Sequence, residues 1–436
     1  MTLNEIQLDS LPKPELSRYE KLNPEIHAGL SKIGKKLHGN KIYHISSTAT
    51  GGGVAELLRS QIPYEKSLGL DSRWFVIEAP RSFFEITKKI HNLFQGKPGF
   101  LSKKEKQQYL EENGRLGKDM AKILSREKTG GIVIIHDPQP LAIREYIPKN
   151  FYVISRLHID LSSPNTSIVE FMRPFLSSVD MTIVSNKDFV KCMPWLPPRK
   201  IRIIYPAIDP FTDKNRSLSR DLAKEMMVQY GINPDRFTIS QISRFDTWKD
   251  PLGVIKAYYL AKNKIPELQL VLVGFFEAQD DPESADVFNE VKKHSKADPD
   301  IHLFYNMNQL QPKDASDDLF INALQLMSDV VIQASTREGF GLTITEAMWK
   351  ARPVIARKTS GPMIQIKDGQ TGFLVVSPET IAKKIIHLHD EPRLGIKIGK
   401  KAAMSVKKKF LMPRFVYDNA KIYQKSLEPV HNLTAN

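Results

Sequence analysis

Residues Lys41–Glu56 read KIYHISSTATGGGVAE, and this stretch indicates the class of the fold. The run Lys41–Ser47 is rich in apolar and β-branched residues, as in a strand that is covered on both faces. Three glycines, Gly51 to Gly53, follow it, and a helical pattern begins at about Val54. A strand, a glycine loop and a helix in this order predict the first unit of a doubly wound α/β domain.

The alternation of short apolar runs and helical patterns continues along the chain. It predicts two doubly wound, Rossmann-like domains, at residues 1–207 and 208–410, with a ligand-binding cleft between them. Tyr205–Asn215 lacks periodicity and is the predicted linker. The stretch 83–113 resembles a lysine-rich insertion that is amphipathic from Phe83 to Phe94. The predicted strands are Lys41–Ser47, Arg73–Glu78, Gly131–His136, Phe151–Leu157, Met181–Ser185 and Ile201–Tyr205, then Phe237–Ile242, Leu268–Gly274, His302–Tyr305, Val330–Ala334 and Val354–Arg357.

The composition of the 436-residue chain excludes several classes of protein. Hydrophobic residues make up 41% and charged residues 26%, as in a globular protein and not a disordered one. No apolar run approaches the roughly 18 residues of a membrane span, and the N-terminus lacks the pattern of a secretory signal. The single cysteine, Cys192, cannot form an internal disulfide, which fits a reducing compartment. We therefore expect a cytoplasmic protein.

The net charge of +14 favours anionic partners. We expect no nucleic acid among them, because zinc-finger spacings, aromatic RNA-binding motifs and basic-zipper heptads are missing from the sequence. The densest basic stretch, Arg393–Lys409, has seven Lys or Arg residues and no acidic one. Its simplest interpretation is a solvated helix face, and the alternative is a contact with a membrane surface.

Candidate ligand-binding residues in the first half follow predicted strands. Gly52 and Gly53 would let backbone N–H groups approach a phosphate at a helix start, unless the loop is a plain tight turn. Asp137 follows a strand and could hold sugar hydroxyls or form a turn. Three more candidates alternate at the end of the next strand: Arg156, His158 and Asp160. On an extended chain their side chains point to the same side. The alternative for the histidine is a hydrogen-bonded structural role.

The second half contains the most specific string, REGFGLTITEA at Arg337–Ala347, which joins a strand to a helix. Glu338 and Glu346 are separated by seven residues, and the glycines between them expose backbone N–H groups. Thr343 and Glu346 also match a helix capping box, which would fold Glu346 back onto the helix start. Two cationic residues, Arg244 and Lys249, follow an earlier strand. They could bind a diphosphate, or they could be ordinary surface charges. The sequence lacks the G-x-S-x-G, H-R-D, D-F-G and H-E-x-x-H motifs of hydrolases, kinases and zinc proteases.

These residues resemble those of the retaining, nucleotide-sugar-dependent glycosyltransferases of GT-B fold, family 4. The likeness runs from about residue 38 to 425. Within that family the chain is most similar to the trehalose glycosyltransferring synthases, with which fungal-type trehalose phosphorylases share several strings. The strings are HISSTATGGGVAE, RWFVIEAPRSFFEITKKIHNLFQG, HDPQP, RLHIDLSSPN, QISRFDTWKDP and REGFGLTITEAMWKARPVI.

The resemblance implies a role for each candidate. Glu338 would hold donor-sugar hydroxyls, and Glu346 would bind the ribose. Arg244 and Lys249 would neutralise the departing diphosphate, and His158 would lie near the C6 hydroxyl and the reacting carbon of the donor sugar. The remaining donor contacts are Gly52, Gly53, Gly339, Phe340, Gly341, Leu342 and Thr343, and the acceptor contacts are Asp137, Arg156 and Asp160. The C-terminal helix, at about 411–436, would pack back on the first domain.

The implied reaction is a reversible transfer from NDP-glucose, with UDP or ADP as the nucleotide, to glucose. The acceptor hydroxyl would attack an oxocarbenium-like sugar from the face that the diphosphate leaves. No cofactor or metal is expected to be obligatory, and Mg²⁺ would at most stimulate. The expected partners are small sugars and the nucleotide sugar, without integral membrane association; a peripheral membrane contact and a homodimer stay open. The chain departs from the family at Lys358–Pro362, where a glycine pair is usual. This loop would border the donor or acceptor pocket, so the resemblance does not fix the identity of the sugar.

Three other functions remain open on the sequence alone. A trehalose phosphorylase would use inorganic phosphate in place of the nucleotide diphosphate. A peripheral membrane glycosyltransferase would act on a lipid-linked or other sugar acceptor. A non-catalytic sugar- or nucleotide-binding protein of the same fold is disfavoured, because every matched position carries a reactive residue type.

Overall fold

The computed structural model describes residues 2–7, 13–274, 284–310 and 316–428. Within these residues the chain divides into two compact units. Unit 1 contains the chain up to Pro206 and the chain from Met412 onward, and unit 2 runs from Ala207 to Leu411. None of the described helices has the length and apolar character needed to cross a bilayer.

Strands and helices alternate through most of both units. The strands are β1 (Thr2–Glu5), β2 (Lys41–Ser46), β3 (Asp71–Glu78), β4 (Gly131–His136), β5 (Phe151–Leu157), β6 (Met181–Val184), β7 (Ile201–Ile203), β8 (Thr238–Ile242), β9 (Gln269–Val273), β10 (Ile301–Phe304), β11 (Val330–Gln333), β12 (Val354–Arg357) and β13 (Phe373–Val375). The helices are α1 (Leu16–Leu22), α2 (Pro24–Leu37), α3 (Gly53–Ser67), α4 (Arg81–Phe94), α5 (Lys103–Leu124), α6 (Thr166–Ser178), α7 (Arg220–Gln229), α8 (Pro251–Lys262), α9 (Ser284–His294), α10 (Asp317–Met327), α11 (Leu342–Trp349), α12 (Ser360–Gln365), α13 (Pro378–Asp390), α14 (Pro392–Lys409) and α15 (Met412–Leu427).

Unit 1 is built on a seven-stranded sheet in the order β1-β3-β2-β4-β5-β6-β7. Its strands run parallel except β1, which pairs antiparallel with β3. Alternate residues of a strand face opposite sides of the sheet. Tyr43 therefore joins the large apolar core with Phe83 of α4 and Tyr109 of α5, whereas its neighbour His44 faces Glu65 of α3. Helix α15 packs on α2 and α3, on this second side.

Unit 2 is built on a wholly parallel six-stranded sheet in the order β10-β9-β8-β11-β12-β13. Apolar side chains cover both of its faces, as the continuous apolar runs in its strands predict. Ile239 packs with Tyr258 of α8 on one face, and Val271 packs with Phe320 of α10 on the other. The prediction of two doubly wound α/β sheets is confirmed.

Several local predictions were wrong. The stretch 83–113 is no insertion, because it forms most of α4 and part of α5 and contributes to the core of unit 1. The predicted strand Ile201–Tyr205 ends at Ile203, and β1 and β13 were not predicted at all. β1 reads TLNE, which contains no apolar run, and the apolar run of β13, FLV, is only three residues long. Within the predicted linker, Ile208 already pairs with Leu411 of its own unit.

Each sheet contains a point where the strand order reverses. β2 lies between β3 and β4 in unit 1, and β8 lies between β9 and β11 in unit 2. Loops that leave the carboxyl ends of such strand pairs diverge, and the crevice that they leave binds ligands in open α/β sheets. Asp137 follows β4 at the reversal point of unit 1, and Lys249 and Glu338 follow β8 and β11 at that of unit 2.

Candidate active site

In unit 2 the structure brings two predicted catalytic groups into contact. The Glu338 Oε2 atom accepts hydrogen bonds from Lys249 Nζ at 2.6 Å, Gln333 Nε2 at 2.9 Å and Ser335 Oγ at 3.1 Å. The side chain of Glu338 is 11% exposed and that of Lys249 is 21% exposed. This partly buried, charge-assisted contact fixes the direction of the carboxylate. The Glu338 carboxylate can accept hydrogen bonds from sugar hydroxyls, and the neighbouring Lys249 ammonium can bind a phosphate.

The loop after Glu338 is held by its neighbours on α12. Gln365 Nε2 donates to the carbonyl oxygens of Phe340 at 2.7 Å and Gly341 at 3.1 Å. The backbone N–H of Gly361 donates to the carbonyl oxygen of Glu338 at 2.9 Å. A Cβ atom on Gly361 would lie 2.6 Å from the oxygen of Phe340, so only glycine permits this close approach. The loop is therefore fixed by its carbonyls.

Helix α11 begins at this loop in a way that suits an anion. Its N-cap, Gly341, has a φ of 86°, and no side chain caps the helix. The backbone N–H groups at the start, including those of Leu342 and Thr343, belong to the first turn, whose donors lack helical acceptors. The helix dipole adds partial positive charge there. This geometry suits the predicted contacts of Gly339 to Thr343 with a donor phosphate.

The capping-box interpretation of Glu346 was wrong. Helix α11 starts at Leu342, so Thr343 is its second residue and not its cap, and its hydroxyl donates to the carbonyl of Ile242 at 3.3 Å. Glu346 is buried, and its Oε2 atom accepts from Gln325 Nε2 of α10 at 2.9 Å. Lys214 Nζ lies 3.8 Å from the Oε1 atom. Its proposed contact with the ribose remains a prediction.

The second predicted diphosphate cation belongs to a loop that is tied to the same site. An Arg244 guanidinium nitrogen lies 3.9 Å from Asp246 Oδ2, and this arginine side chain is only partly buried. The backbone N–H of Thr336 donates to the carbonyl of Trp248 at 2.7 Å, which joins the loop after β8 to the loop after β11.

Pro362 is the third residue of α12. Its missing N–H costs nothing there, because the first four N–H groups of a helix have no helical acceptor.

In unit 1 the glycine loop leads directly into α3. Gly52 is the N-cap of α3, and no side chain caps this helix either. Gly51 has a φ of 75°, which favours glycine, whereas Gly52 has an extended φ of −165° that any residue adopts. No described atom lies within 4 Å of a Cβ built on Gly52. Neither backbone nor packing therefore demands glycine at 52, which leaves a ligand as the candidate reason.

Replacing Gly52 with alanine is expected to raise the KM of the nucleotide-sugar donor about tenfold. This is the equivalent of about 1.4 kcal/mol of lost contact. The free energy of unfolding should change by less than about 0.5 kcal/mol, because the added methyl group meets open space. Steady-state kinetics and urea unfolding measure the two quantities. Gly51→Ala is the matched control, with a stability loss of about 1 kcal/mol from its positive φ. An unchanged KM in Gly52→Ala would remove Gly52 from the site.

Asp137 lies in a strained backbone conformation at the end of β4. It has a φ of 63°, which is rare for a residue with a side chain and frequent at functional sites. Its Oδ1 atom accepts a hydrogen bond from the backbone N–H of His158 at 2.7 Å. Asp160 accepts from the N–H of Ser162 at 2.8 Å. The two proposed acceptor carboxylates thus shape the loops that follow neighbouring strands.

Arg156, predicted as an acceptor contact, is instead buried against α15. Its guanidinium donates to Asn419 Oδ1 at 2.9 Å and lies 4.5 Å from the centre of the Phe415 ring. Burial lowers the pKa of Arg156 to about 10, and the group still remains charged at neutral pH. This arginine joins β5 to the C-terminal helix, so the prediction of a row of three ligand contacts needs correction: Arg156 has a structural role.

The change Arg156→Ala is expected to lower the free energy of unfolding by about 2–4 kcal/mol. It leaves a cavity beside Phe415 and a buried oxygen of Asn419 without its donor. Urea unfolding followed by circular dichroism measures this loss. The exposed Arg199 of the same unit provides the control, since Arg199→Ala should change stability by less than about 0.5 kcal/mol. Normal stability with a raised acceptor KM in Arg156→Ala would restore the acceptor assignment.

His158 is the outer member of a chain of ring nitrogens. Its Nε2 atom lies 2.9 Å from Nδ1 of His136, and the Nε2 atom of His136 lies 3.1 Å from Nδ1 of His44. The Nε2 atom of His44 lies 3.1 Å from a carboxylate oxygen of Glu65 on α3. The predicted hydrogen-bonded histidine and the predicted ligand contact are therefore compatible, because one ring can fill both roles.

Sequence reasoning missed the residues that hold the predicted ones. Gln333 and Gln365 position the loop of Glu338, and His44 and Glu65 support His158. A weak signal existed, since His44 and Gln333 interrupt strands that are otherwise apolar, and a buried polar residue needs a partner. Among the described residues, no group of three or more His, Cys, Asp or Glu side chains is arranged to hold a metal ion.

Comparisons with known proteins match both units of the chain. A family model described as "Trehalose synthase, N-terminal domain" matches residues 44–191, and one described as "Glycosyl transferases group 1" matches residues 223–404. The trehalose synthase of Pyrococcus horikoshii is 37% identical over 412 residues, which cover 94% of this chain and 96% of that protein. The trehalose phosphorylase of Pleurotus pulmonarius is 28% identical over 394 residues, covering 80% of this chain and 52% of that protein.

Solved structures support the fold. The α,α-trehalose-phosphate synthase (UDP-forming) from Burkholderia xenovorans, solved in complex with glucose-6-phosphate, superposes with a TM-score of 0.70. The alignment covers 88% of this chain and 100% of that chain at 11% identity, so it establishes the GT-B fold and nothing finer. The extent and identity of the match to a whole trehalose synthase establish more: this chain belongs to the trehalose synthase family of glycosyltransferases.

Proposed function

We propose that this chain is a retaining glycosyltransferase of family 4 that makes trehalose from NDP-glucose and glucose, reversibly. The observation that carries the proposal is the contact between Glu338 and Lys249 at the reversal point of the unit 2 sheet. A fixed carboxylate beside a cation and an uncapped helix start suits a glucose joined to a diphosphate. Membership of the trehalose synthase family supports glucose as the transferred sugar.

In the proposed reaction the bond from glucose to the diphosphate weakens first. Lys249, Arg244 and the start of α11 stabilise the negative charge that develops on the departing phosphate. Glu338 holds the hydroxyls of the oxocarbenium-like glucose. The acceptor hydroxyl attacks from the face that the diphosphate leaves, and a phosphate oxygen takes its proton. Because side chains meet the phosphate charge, we propose that no metal is obligatory and that Mg²⁺ at most stimulates.

Two further assignments complete the proposal. Asp137 and Asp160 of unit 1 bind the acceptor glucose, and His158 lies near the C6 hydroxyl and reacting carbon of the donor. We also propose that the enzyme works in the cytoplasm. Burial raises the pKa of the Cys192 thiol to about 12, so this cysteine stays an unreactive thiol, as suits a reducing compartment.

The test is to incubate the purified protein with UDP-, ADP- or GDP-glucose, each with and without glucose, and with and without a chelator. Chromatography and NMR should show an α,α-1,1-linked disaccharide and free NDP with at least one donor. Trehalose breakdown that requires added inorganic phosphate, without synthesis from any NDP-glucose, would instead identify a phosphorylase. Donor hydrolysis alone would mean that the acceptor is not glucose.

One observation favours a second candidate, a peripheral membrane glycosyltransferase with a lipid-linked acceptor. Helix α14 exposes Ile396 and Met404, at 58% and 72%, on the side that also carries exposed lysines such as Lys400 and Lys401. Apolar side chains among cations suit an anionic lipid surface. Co-sedimentation with phosphatidylserine vesicles that is lost at high salt and in a Lys400→Glu/Lys401→Glu variant would support it. Failure to bind such vesicles at low salt would reject it.

A further inference from the structure

Three histidines of unit 1, His44, His136 and His158, form one continuous line that is buried except at its outer end, His158. Two ring pairs, His158 with His136 and His136 with His44, are nearly parallel, with interplanar angles of 18° and 26°. Their nitrogens are within hydrogen-bond distance at each step, and the line ends on the carboxylate of Glu65. His44, His136 and Glu65 are all at most 1% exposed. Water therefore does not compete for these nitrogens, and each hydrogen bond must have one donor and one acceptor.

Glu65 sets the direction of the line. Its carboxylate accepts hydrogen bonds from Gln61 Nε2 at 2.7 Å, Ser72 Oγ at 2.8 Å and Tyr423 Oη at 3.0 Å. Burial acts to raise the pKa of Glu65, but the nearby His44 and the hydrogen bonds that Glu65 accepts outweigh it and lower the pKa below its usual value. An ionised carboxylate only accepts. His44 must therefore donate from Nε2.

The remaining protons follow one by one. A neutral imidazole donates from one nitrogen and accepts at the other. When His44 is a neutral ring that donates from Nε2, its Nδ1 accepts and His136 must donate from Nε2. The Nδ1 atom of His136 then accepts, and His158 must donate from Nε2. The Nδ1 atom of His158 is left as an acceptor without a proton.

The charged groups around the line keep two of its rings, His136 and His158, neutral. Burial, with Arg156 of β5 and the neighbouring histidines, lowers the pKa of His136 well below its usual value. Burial and Arg156 do the same for His158. Asp137 accepts a hydrogen bond from the backbone N–H of His158, and the hydroxyl of Tyr423 on α15 donates one to Glu65. At neutral pH Glu65 is therefore ionised, and neither His136 nor His158 is cationic.

We propose that Glu65, acting through a neutral His44 and His136, is a positioning residue that fixes His158 as the neutral Nε2–H tautomer. His158 then presents Nδ1 as a hydrogen-bond acceptor, so that the sugar hydroxyl it meets must be the donor. The role of this tautomer in catalysis rests on the proposed function, whereas the tautomer itself does not. A hydroxyl that donates to nitrogen is oriented with its oxygen lone pairs turned away from the ring, which selects one arrangement of the donor sugar.

The direct test is NMR of the full chain labelled with ¹⁵N-histidine, in which long-range correlations distinguish protonated from unprotonated ring nitrogens. The His158 signal is assigned by its loss in His158→Gln. At pH 7.5 we expect a protonated Nε2 and an unprotonated Nδ1 for His158. The same pattern is expected for His136 and His44. A protonated Nδ1 on His158 in the wild-type protein would overturn the proposal.

Two variants separate positioning from mere structural support. Glu65→Gln keeps the shape but can donate to His44, so His158 should lose its single tautomer, and kcat should fall about tenfold with little change in the KM of the donor. Tyr423→Phe removes one donor to Glu65 but leaves its charge, so the tautomer should stay. An unchanged tautomer in a folded Glu65→Gln would contradict the proposal. If that variant does not fold, His136→Gln interrupts the line, and His158 should then show both tautomers; a single unchanged tautomer would contradict it equally.

The NMR result does not depend on catalysis, so the two proposals can fail separately. A wild-type protein that shows the expected tautomer but makes no trehalose would reject the proposed function alone. One that makes trehalose with His158 protonated at Nδ1 would reject only the role of Glu65.

Discussion

Glu338→Gln is expected to lower kcat/KM for trehalose synthesis by about 10³-fold while leaving the fold intact. Glutamine has the same shape, but it removes the charge that Lys249 contacts at 2.6 Å and replaces one acceptor oxygen with an amide donor. The amide of the variant cannot hold both the lysine and the sugar hydroxyls in place of the carboxylate. Initial rates of NDP release with glucose measure the loss, and the thermal midpoint should change by no more than about 2 °C.

The matched control for this variant is Glu379→Gln. Glu379 also pairs with a lysine, Lys256, at 2.6 Å, but on the surface of unit 2. Breaking this pair removes a Glu–Lys contact without touching the Glu338 loop, so kcat/KM should stay within about twofold of wild type. Near-normal turnover in Glu338→Gln, or an equal loss in Glu379→Gln, would defeat the assignment of Glu338.

Lys249→Gln is the second variant for which we expect a large effect, a fall in kcat of about 10²-fold. The variant loses the cation that is proposed to stabilise the departing diphosphate, and it leaves the partly buried Glu338 with two neutral donors, Gln333 and Ser335. Single-turnover kinetics with NDP-glucose and glucose measure the chemical step.

The double variant shows whether the two residues act together. If Glu338 and Lys249 form one functional pair, Glu338→Gln/Lys249→Gln should lose clearly less than the product of the two single losses. A product of independent losses would mean that the contact at 2.6 Å has no functional consequence. Lys256→Gln, which breaks the surface pair from the lysine side, is the control and should keep wild-type kcat.

The fold could be predicted from the sequence because its parallel strands are buried on both faces. Continuous apolar runs such as 131–136 and 354–357 match β4 and β12 residue for residue. β1 was missed because TLNE contains no apolar run, and β13 because its apolar run has only three residues. The stretch 83–113 was misread as an insertion because of its many lysines, although its predicted amphipathic part, Phe83–Phe94, coincides with most of α4 and packs in the core.

The candidate site could be predicted only in part. Glu338 and Lys249 follow strands of one sheet, and adjacent strands bring such positions together whatever the intervening sequence. The role of Arg156 could not be seen, because its partner Asn419 lies 263 residues away on α15. The capping-box error came from a helix boundary misplaced by two residues, since Gly341, at a positive φ, and not Thr343, is the cap. Supporting residues such as Gln365 depend on tertiary contacts that no local pattern contains.

Glu338 is proposed to hold the donor glucose at the reversal point of the unit 2 sheet. Isothermal titration of the wild-type protein and Glu338→Gln with an NDP and with the corresponding NDP-glucose, both without acceptor, tests it most directly. We predict that both proteins bind the NDP alike, within about twofold, and that only the wild type gains affinity from the glucose, by about tenfold or more. Equal affinity of both proteins for NDP-glucose would contradict the account.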